Sequence, residues 1–153
     1  MYENRIARAV ELFKSGYNCS QSVTAAFADL YGFNESQAFK MSASFGAGIG
    51  RMRLTCGAAC GMFLLAGLDS GTDDCKDRDG KSKNYALVQA LSAKFKERNG
   101  SLTCGVLLGL AKDEPIVAMP ETRTKTYYEK RPCAKMVEEG ARIFAEYLES
   151  KGL

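Results

Sequence analysis

Cysteines stand where helices should begin in this chain, and that placement constrains the fold more than any other sequence feature. Each of four cysteines follows a residue typical of a helix start, in the pairs Asn18-Cys19, Thr55-Cys56, Thr103-Cys104 and Pro132-Cys133. Asn and Thr side chains accept the free N–H groups of a first turn, and Pro is favoured at the first helical position. The positive end of a helix dipole stabilises thiolate over thiol. The four cysteines are therefore candidates for shared chemistry.

The chain of 153 residues contains six cysteines and no histidine. The absence of histidine excludes Cys2His2 zinc sites, Cys–His dyads, Ser–His–Asp triads and Rieske-type ligation, so any metal would rest mainly on sulfur. The N-terminal segment lacks the apolar run of an export signal, so we expect a cytoplasmic protein. In that reducing compartment, metal-binding, catalytic or buried cysteines are favoured over disulfides.

Apolar residues recur at helical spacing along most of the chain, and no segment shows the sustained alternation of a strand. This pattern predicts an all-α fold, a single compact domain over residues 1–153 with six or seven helices. The predicted helices cover residues 4–14, 19–31, a segment from an Asn34 or Ser36 cap to Phe45, 56–68, 82–97, 103–108 and 132–148. The core face of the last helix is predicted to comprise Met136, Val137, Ile143, Phe144 and Leu148. Residues 71–80 are predicted to form an acidic loop.

Three alternating glycines, Gly46, Gly48 and Gly50, separate the third and fourth predicted helices and lead to Arg51 and Arg53. Such a run forbids a stable helix and lets the backbone approach another group closely. One interpretation is a tight connection between packed helices. The other is a close approach to a cluster, a substrate or a cysteine pair, or a cradle for an anion beside a helix N-terminus. The candidate cofactor-binding residues are Gly46, Gly48, Gly50 and Gly57.

Two cysteines stand outside the helix-start pattern. Cys60 lies one turn after Cys56, a spacing adequate for two ligands of one metal, but its apolar neighbours favour a small buried hydrophobe. Cys75 lies in the acidic loop and is predicted to be exposed. That loop lacks calcium ligands at its first and last positions, and Gly80-Lys81-Ser82 lacks the first glycine of a phosphate-binding loop.

The order of these elements resembles the C-GCAxxG-C-C family, whose signature is a lone cysteine, a glycine-rich approach to a Cys-Gly-Ala-x-x-Gly box, and two further cysteines. The matching elements are Cys19, the run Gly46 to Gly50, the box Cys56-Gly57-Ala58-Ala59-Cys60-Gly61, Cys104 and Cys133. The resemblance spans roughly residues 5 to 145 and implies a small helical protein with redox activity or an iron–sulfur cluster. The chain departs from the pattern at Cys60, in a variable position of the box, and at Cys75.

Three hypotheses of function follow. In the first, four thiolates bind an iron–sulfur cluster or a zinc ion in a protein for electron transfer or cluster handling, with ligands Cys19, Cys56, Cys104 and Cys133. In the second, a metal-free thiol–disulfide oxidoreductase uses a thiolate of low pKa, for example Cys56, and a second cysteine resolves the product. In the third, a non-catalytic helical protein binds a partner or ligand and its cysteines are structural. The first two require the helix starts to converge.

Composition limits the partners. A net charge of +3 without a basic stripe does not favour nucleic acid. No apolar run approaches the roughly 18 residues of a membrane span. We expect an unidentified redox partner, and the sequence does not specify the oligomeric state.

Overall fold

The computed structural model describes residues 1–152, and eight α-helices lie in that range. They are α1 (Glu3–Lys14), α2 (Cys19–Phe27), α3 (Glu35–Ser42), α4 (Gly57–Ser70), α5 (Arg78–Asn99), α6 (Cys104–Leu107), α7 (Lys125–Lys130) and α8 (Cys133–Ser150). Short 3₁₀ turns at Ala28–Tyr31 and Ala43–Phe45 continue α2 and α3, and an isolated antiparallel bridge joins Thr55 to Thr103. The all-α prediction is confirmed, whereas the prediction of six or seven helices is too low.

The additional helix is α7, in a stretch that shows little apolar periodicity. Its cap is Thr124, whose hydroxyl oxygen accepts from the N–H of Tyr127 at 3.1 Å. The start of α5 also differs from the prediction, because the helix begins at Arg78 rather than Ser82. Asp77 caps it by accepting from the N–H of Gly80 at 2.8 Å, so the predicted loop is shorter than residues 71–80.

Two asparagines fix helix starts through reciprocal capping boxes. The Asn18 side chain accepts from the N–H of Gln21 at 2.9 Å, and the Gln21 side chain accepts from the N–H of Asn18 at 3.1 Å. Asn34 and Gln37 make the same pair of bonds at the start of α3. Each box satisfies two backbone donors of the first turn. The predicted starts at Cys19 and after Asn34 follow from this local chemistry.

The core lies between α1, α2, α4 and α8, with α5 packed on α4 and α8. All five residues predicted for the core face of the last helix are buried in α8. Phe144 of α8 meets Phe27 of α2 edge to face, with ring centroids 5.1 Å apart. One cluster of buried residues extends along the chain from Ile6 to Leu148. The starts of α2, α4, α6 and α8 meet at one end of this core.

The helices were compared with the length and hydropathy of a membrane span. Of the helices in residues 1–152, none combines the length and the apolar character needed to cross a bilayer.

Candidate functional site

One cavity of about 60 Å³ is lined by four cysteines that come from four different helix starts: Cys19, Cys56, Cys104 and Cys133. We call these residues the cavity cysteines. Three of them are buried, with 5–7% of their surface exposed, and Cys133 is half-buried. The packing of the helices therefore brings together sulfurs that are 37, 48 and 29 residues apart along the chain.

Backbone pairing fixes two of the cavity cysteines relative to each other. Around the Thr55–Thr103 bridge, the N–H of Cys56 donates to the carbonyl of Leu102, and the N–H of Cys104 donates to the carbonyl of Leu54, both at 2.6 Å. Cys56 itself is the residue before the first turn of α4, so the cap predicted at Thr55 lies one residue too early. These hydrogen bonds join the approach to α4 with the approach to α6.

Three of the candidate glycines lie where a side chain would not fit. A Cβ on Gly48 would lie 2.6 Å from Cβ of Cys104, and one on Gly57 would lie 3.1 Å from Cβ of Cys19. A Cβ on Gly46 would overlap the Asn18 side chain. Gly50 has more room and lines a second, outer cleft instead. The close approach expected from the sequence thus involves Gly46, Gly48 and Gly57, and two of the three approach cavity cysteines.

The segment between α3 and α4 has an unusual backbone. Four non-glycine residues have positive φ angles between 54° and 66°, namely Ala47, Ile49, Arg51 and Arg53. Residues with a Cβ lose roughly 1–2 kcal/mol each in this left-handed region. Such conformations persist only where the surrounding structure holds them, and they concentrate at functional sites. Residues 46–53 are therefore a costly segment beside the cavity.

Three arginines lie beside the cavity cysteines. Two of them come from residues 109–131, where the sequence predicts neither a helix nor a site residue. Arg53, Arg123 and Arg131 all line the cavity. Nη1 of Arg53 lies 3.8 Å from Sγ of Cys104. The Arg123 guanidinium donates to the carbonyls of Phe13 at 2.8 Å and Tyr17 at 3.0 Å.

Sequence reasoning missed Arg123 and Arg131 as site residues. Arg131 lies two residues before Cys133, and that proximity was the available signal. Arg123 gave none, because its position depends on contacts with Phe13, more than 100 residues earlier.

Cys19 and Cys133 are neighbouring thiols whose pKa values shift in opposite directions. The interaction between the two side chains lowers the pKa of Cys133 to about 7 and raises that of Cys19 well above its ordinary range. Burial opposes the shift at Cys133, whereas the positive charges of Arg131, Arg123 and Arg53 add to it. Cys133 is thus the cavity cysteine that most readily forms a thiolate.

Burial outweighs the helix start at the other two cavity cysteines. It raises the pKa of Cys56 to about 12, although the N–H groups of Ala58 and Ala59 act in the opposite direction. Burial also raises the pKa of Cys104, against the effect of Arg53. In the metal-free protein the pKa is therefore raised at Cys19, Cys56 and Cys104 and lowered at Cys133.

The remaining two cysteines behave differently from the cavity cysteines. Cys60 is buried in α4, its sulfur 3.8 Å from the carbonyl oxygen of Thr55, and burial raises its pKa to about 11. Cys75 is exposed, as predicted. In residues 1–152, no three Cys, Asp or Glu side chains lie close enough together to hold a single metal ion.

The chain matches the model of a known protein family. The model of a family described as "Putative redox-active protein (C_GCAxxG_C_C)" matches residues 17–147, a range that contains all four cavity cysteines. No curated protein and no solved structure matches the chain at a significant level.

Proposed function

Because this chain belongs to the C_GCAxxG_C_C family, we propose that it is a redox protein whose cavity cysteines bind an iron–sulfur cluster for electron transfer or cluster handling. One observation carries the proposal: four thiols from four helix starts surround one largely enclosed cavity together with three guanidinium groups. Four cysteines are the usual ligand set of [2Fe–2S] and [4Fe–4S] clusters.

The donor set is compatible with more than one metal centre. Four thiolates are the usual ligands of [2Fe–2S] and [4Fe–4S] clusters, and a Cys₄ set also binds structural zinc with all four sulfurs at about 2.3 Å from the ion. The redox description of the family favours the cluster. A structural zinc ion stays the alternative that metal analysis tests.

The surrounding residues suit a negatively charged, oxygen-sensitive group. When bound, an iron–sulfur cluster supplies one-electron transfer. The guanidinium groups of Arg53, Arg123 and Arg131 offset the charge of four thiolates, which favours the more negative reduced state and raises the reduction potential. The close backbone at Gly48 and Gly57 and the apolar walls of the cavity keep water away from the sulfurs.

The first test is an absorbance spectrum with iron, zinc and acid-labile sulfide analysis on protein purified without oxygen. We expect broad absorbance at about 400 nm, with iron and sulfide in stoichiometric amounts. Cys56→Ser should lose the absorbance, the iron and the sulfide, because it removes a ligand. Cys75→Ser is the matched control, since Cys75 is exposed and lies outside the cavity.

Other results would overturn the cluster proposal. Colourless protein with one zinc would make the site structural. Colourless, metal-free protein that also fails to take up iron and sulfide on reconstitution would leave thiol chemistry. Retention of iron in Cys56→Ser would mean that the cavity cysteines do not act as one ligand set. The third hypothesis, structural cysteines in a binding protein, requires every cavity cysteine to tolerate serine apart from stability losses of roughly a few kcal/mol.

A second candidate function is thiol–disulfide exchange, favoured by the position of Cys19 and Cys133 in one cavity and by the lowered pKa of Cys133. The Cys133 thiolate would attack a substrate disulfide and release one substrate thiol. Cys19 would then displace the second thiol, leaving a Cys19–Cys133 disulfide and a substrate reduced by two electrons. Peptide mapping of metal-free protein after turnover with a small disulfide should recover this disulfide. Recovery of another pair, or of none, would contradict it.

The proposal includes a cytoplasmic location and a separate redox partner. A reducing compartment keeps cysteines as thiols, which is the state that both metal ligation and thiol exchange require. Fractionation of cells and trapping of partners with the chain carrying Cys19→Ser would test both.

A further inference from the structure

A second, larger depression lies directly outside the cavity. This outer cleft has a volume of about 260 Å³. Its wall is shared with the cavity through Asn18, Ala47, Arg53, Arg123, Tyr127 and Arg131. The outer cleft is therefore adjacent to the cavity that the four cysteines line.

The outer cleft carries a marked excess of positive charge. Glu121 is the acidic residue in its lining. Four arginines also line the cleft: Arg51, Arg53, Arg123 and Arg131. Glu121 is shared, because it pairs with Arg51 at 3.8 Å and also contacts Arg131. In the described part of the chain, Arg53 and Arg123 have no carboxylate within ion-pair distance. Within residues 1–152, no carboxylate therefore neutralises these two guanidinium groups, although Arg53 also lies near the Cys104 sulfur and Arg123 donates to the oxygens of Phe13, Tyr17 and Tyr128.

Charge balance at the thiolates does not account for Arg51. Arg51 lines the outer cleft and not the cavity, shares Glu121 with Arg131, and donates to the carbonyl of Met119. Arg51 and Arg53 both have left-handed backbone conformations, with φ angles of 65° and 60°. The chain holds two arginines beside the cleft in a conformation that costs roughly 1–2 kcal/mol per residue. Such strain is expected where a binding site requires it.

We infer that the outer cleft binds an oxyanion, either a free inorganic ion or the charged group of a small organic molecule that reaches the cavity cysteines. The planar fork of a guanidinium group matches phosphate and carboxylate oxygens in a bidentate arrangement. Lysine would supply the charge without that geometry, and all four cations lining this cleft are arginines. The inference rests on the proposed function, because it names the ligand class of the same site.

The test is isothermal titration of the reduced protein with inorganic phosphate and, separately, with phenyl phosphate, at constant ionic strength maintained with chloride. We expect one saturable site. Arg53→Gln and Arg51→Gln should each weaken binding by about tenfold or more, because each removes a charge-assisted hydrogen bond. Tighter binding of phenyl phosphate assigns the site to an organic ligand, and tighter binding of phosphate assigns it to a free ion.

Arg98→Gln is the matched control, because it removes the same charge at the contact between α5 and α8, where Arg98 pairs with Glu139 and Glu146. Arg53→Lys keeps the charge and loses the fork, so its affinity should fall between those of the wild type and Arg53→Gln. Circular dichroism establishes that each variant is folded. The inference is overturned if neither probe saturates up to about 10 mM, or if Arg98→Gln weakens binding as much as Arg53→Gln.

Metal analysis and the phosphate titration, carried out on both the wild type and Cys56→Ser, separate the two proposals. Phosphate binding without iron in the wild type would refute the cluster and keep the anion site. Iron and sulfide without binding of either probe would keep the cluster and refute the anion site.

Discussion

Helices α1 and α8 and the segment 46–56 differ in how local preference relates to the final structure. In the two helices, apolar residues recur at the regular helical spacing, and Phe13 and Phe144 are fully buried. In the segment, four non-glycine residues adopt positive φ angles. Packing of the helices thus supplies the free energy of folding. Part of that free energy offsets the cost of the unfavourable backbone beside the cavity cysteines.

The largest effect is expected in the helical region. Phe144→Ala removes a ring that is 0% exposed and packs edge to face against Phe27, so we expect a loss of about 3–5 kcal/mol in the free energy of unfolding. Urea unfolding followed by circular dichroism measures it. Tyr85→Ala, at a position 61% exposed, should change the free energy by less than about 0.5 kcal/mol. Equal losses would contradict the assignment of the core.

A smaller loss of stability, with a larger effect on the site, is expected at Gly48. Gly48→Ala combines a left-handed conformation at φ 77° with a Cβ that would lie 2.6 Å from Cβ of Cys104. We expect a loss of about 2–4 kcal/mol and reduced iron content after anaerobic reconstitution.

Gly100→Ala is the control for Gly48→Ala, because Gly100 has φ 90° and open space around it. It should cost roughly 1–2 kcal/mol from backbone strain alone and leave iron binding intact. If the two variants behaved alike, the close approach of Gly48 to Cys104 would have no functional role.

The two capping boxes allow a closer comparison. Asn18→Ala and Asn34→Ala each remove one N-cap and should each cost about 1 kcal/mol, measured by urea unfolding. Asn18 also lines the cavity and donates to the carbonyl of Ala43 at 3.0 Å. Only Asn18→Ala should therefore also alter the absorbance spectrum of the reconstituted protein. A spectral change in both variants would indicate a general loss of helix stability.

The smallest effect on stability is expected from the titration of the cavity thiols in reduced, metal-free protein. Cys133 has a folded pKa of about 7, below the ordinary value of 9.0, so its contribution is present above pH 9 and is lost as the pH falls through about 7. Cys56 has a raised pKa of about 12, so its contribution is present below pH 9 and is lost as the pH rises toward 12.

Pulsed alkylation with peptide mass spectrometry resolves the two thiols. Modification of Cys133 should rise with a midpoint near pH 7, while Cys56 stays unmodified in the native protein. Cys19→Ala should move the Cys133 midpoint upward, because it removes the side-chain interaction that contributes most to the lowered pKa. An unchanged midpoint would assign the shift to the arginines.

Local chemistry explains what the sequence could predict. The start at Cys19 follows from the Asn18 capping box, and the buried face of α8 follows from apolar spacing. The choice of the cavity cysteines rests on the same helix-start rule, whereas their meeting around one cavity depends on long-range packing. Arg123 shows the limit, because its contacts reach Phe13 across the whole chain. The left-handed backbone at Ala47 and Ile49 contradicts local preference, so no propensity rule predicts it.

The bridge between Thr55 and Thr103 bears on the proposed electron transfer. Its flanking hydrogen bonds hold Cys56 and Cys104 through their own backbone N–H groups. A centre whose ligands are held in advance requires little rearrangement when it gains or loses an electron. If the cavity cysteines bind the proposed cluster, this clamp would lower its reorganisation energy and would favour fast electron exchange even when the difference in potential is slight.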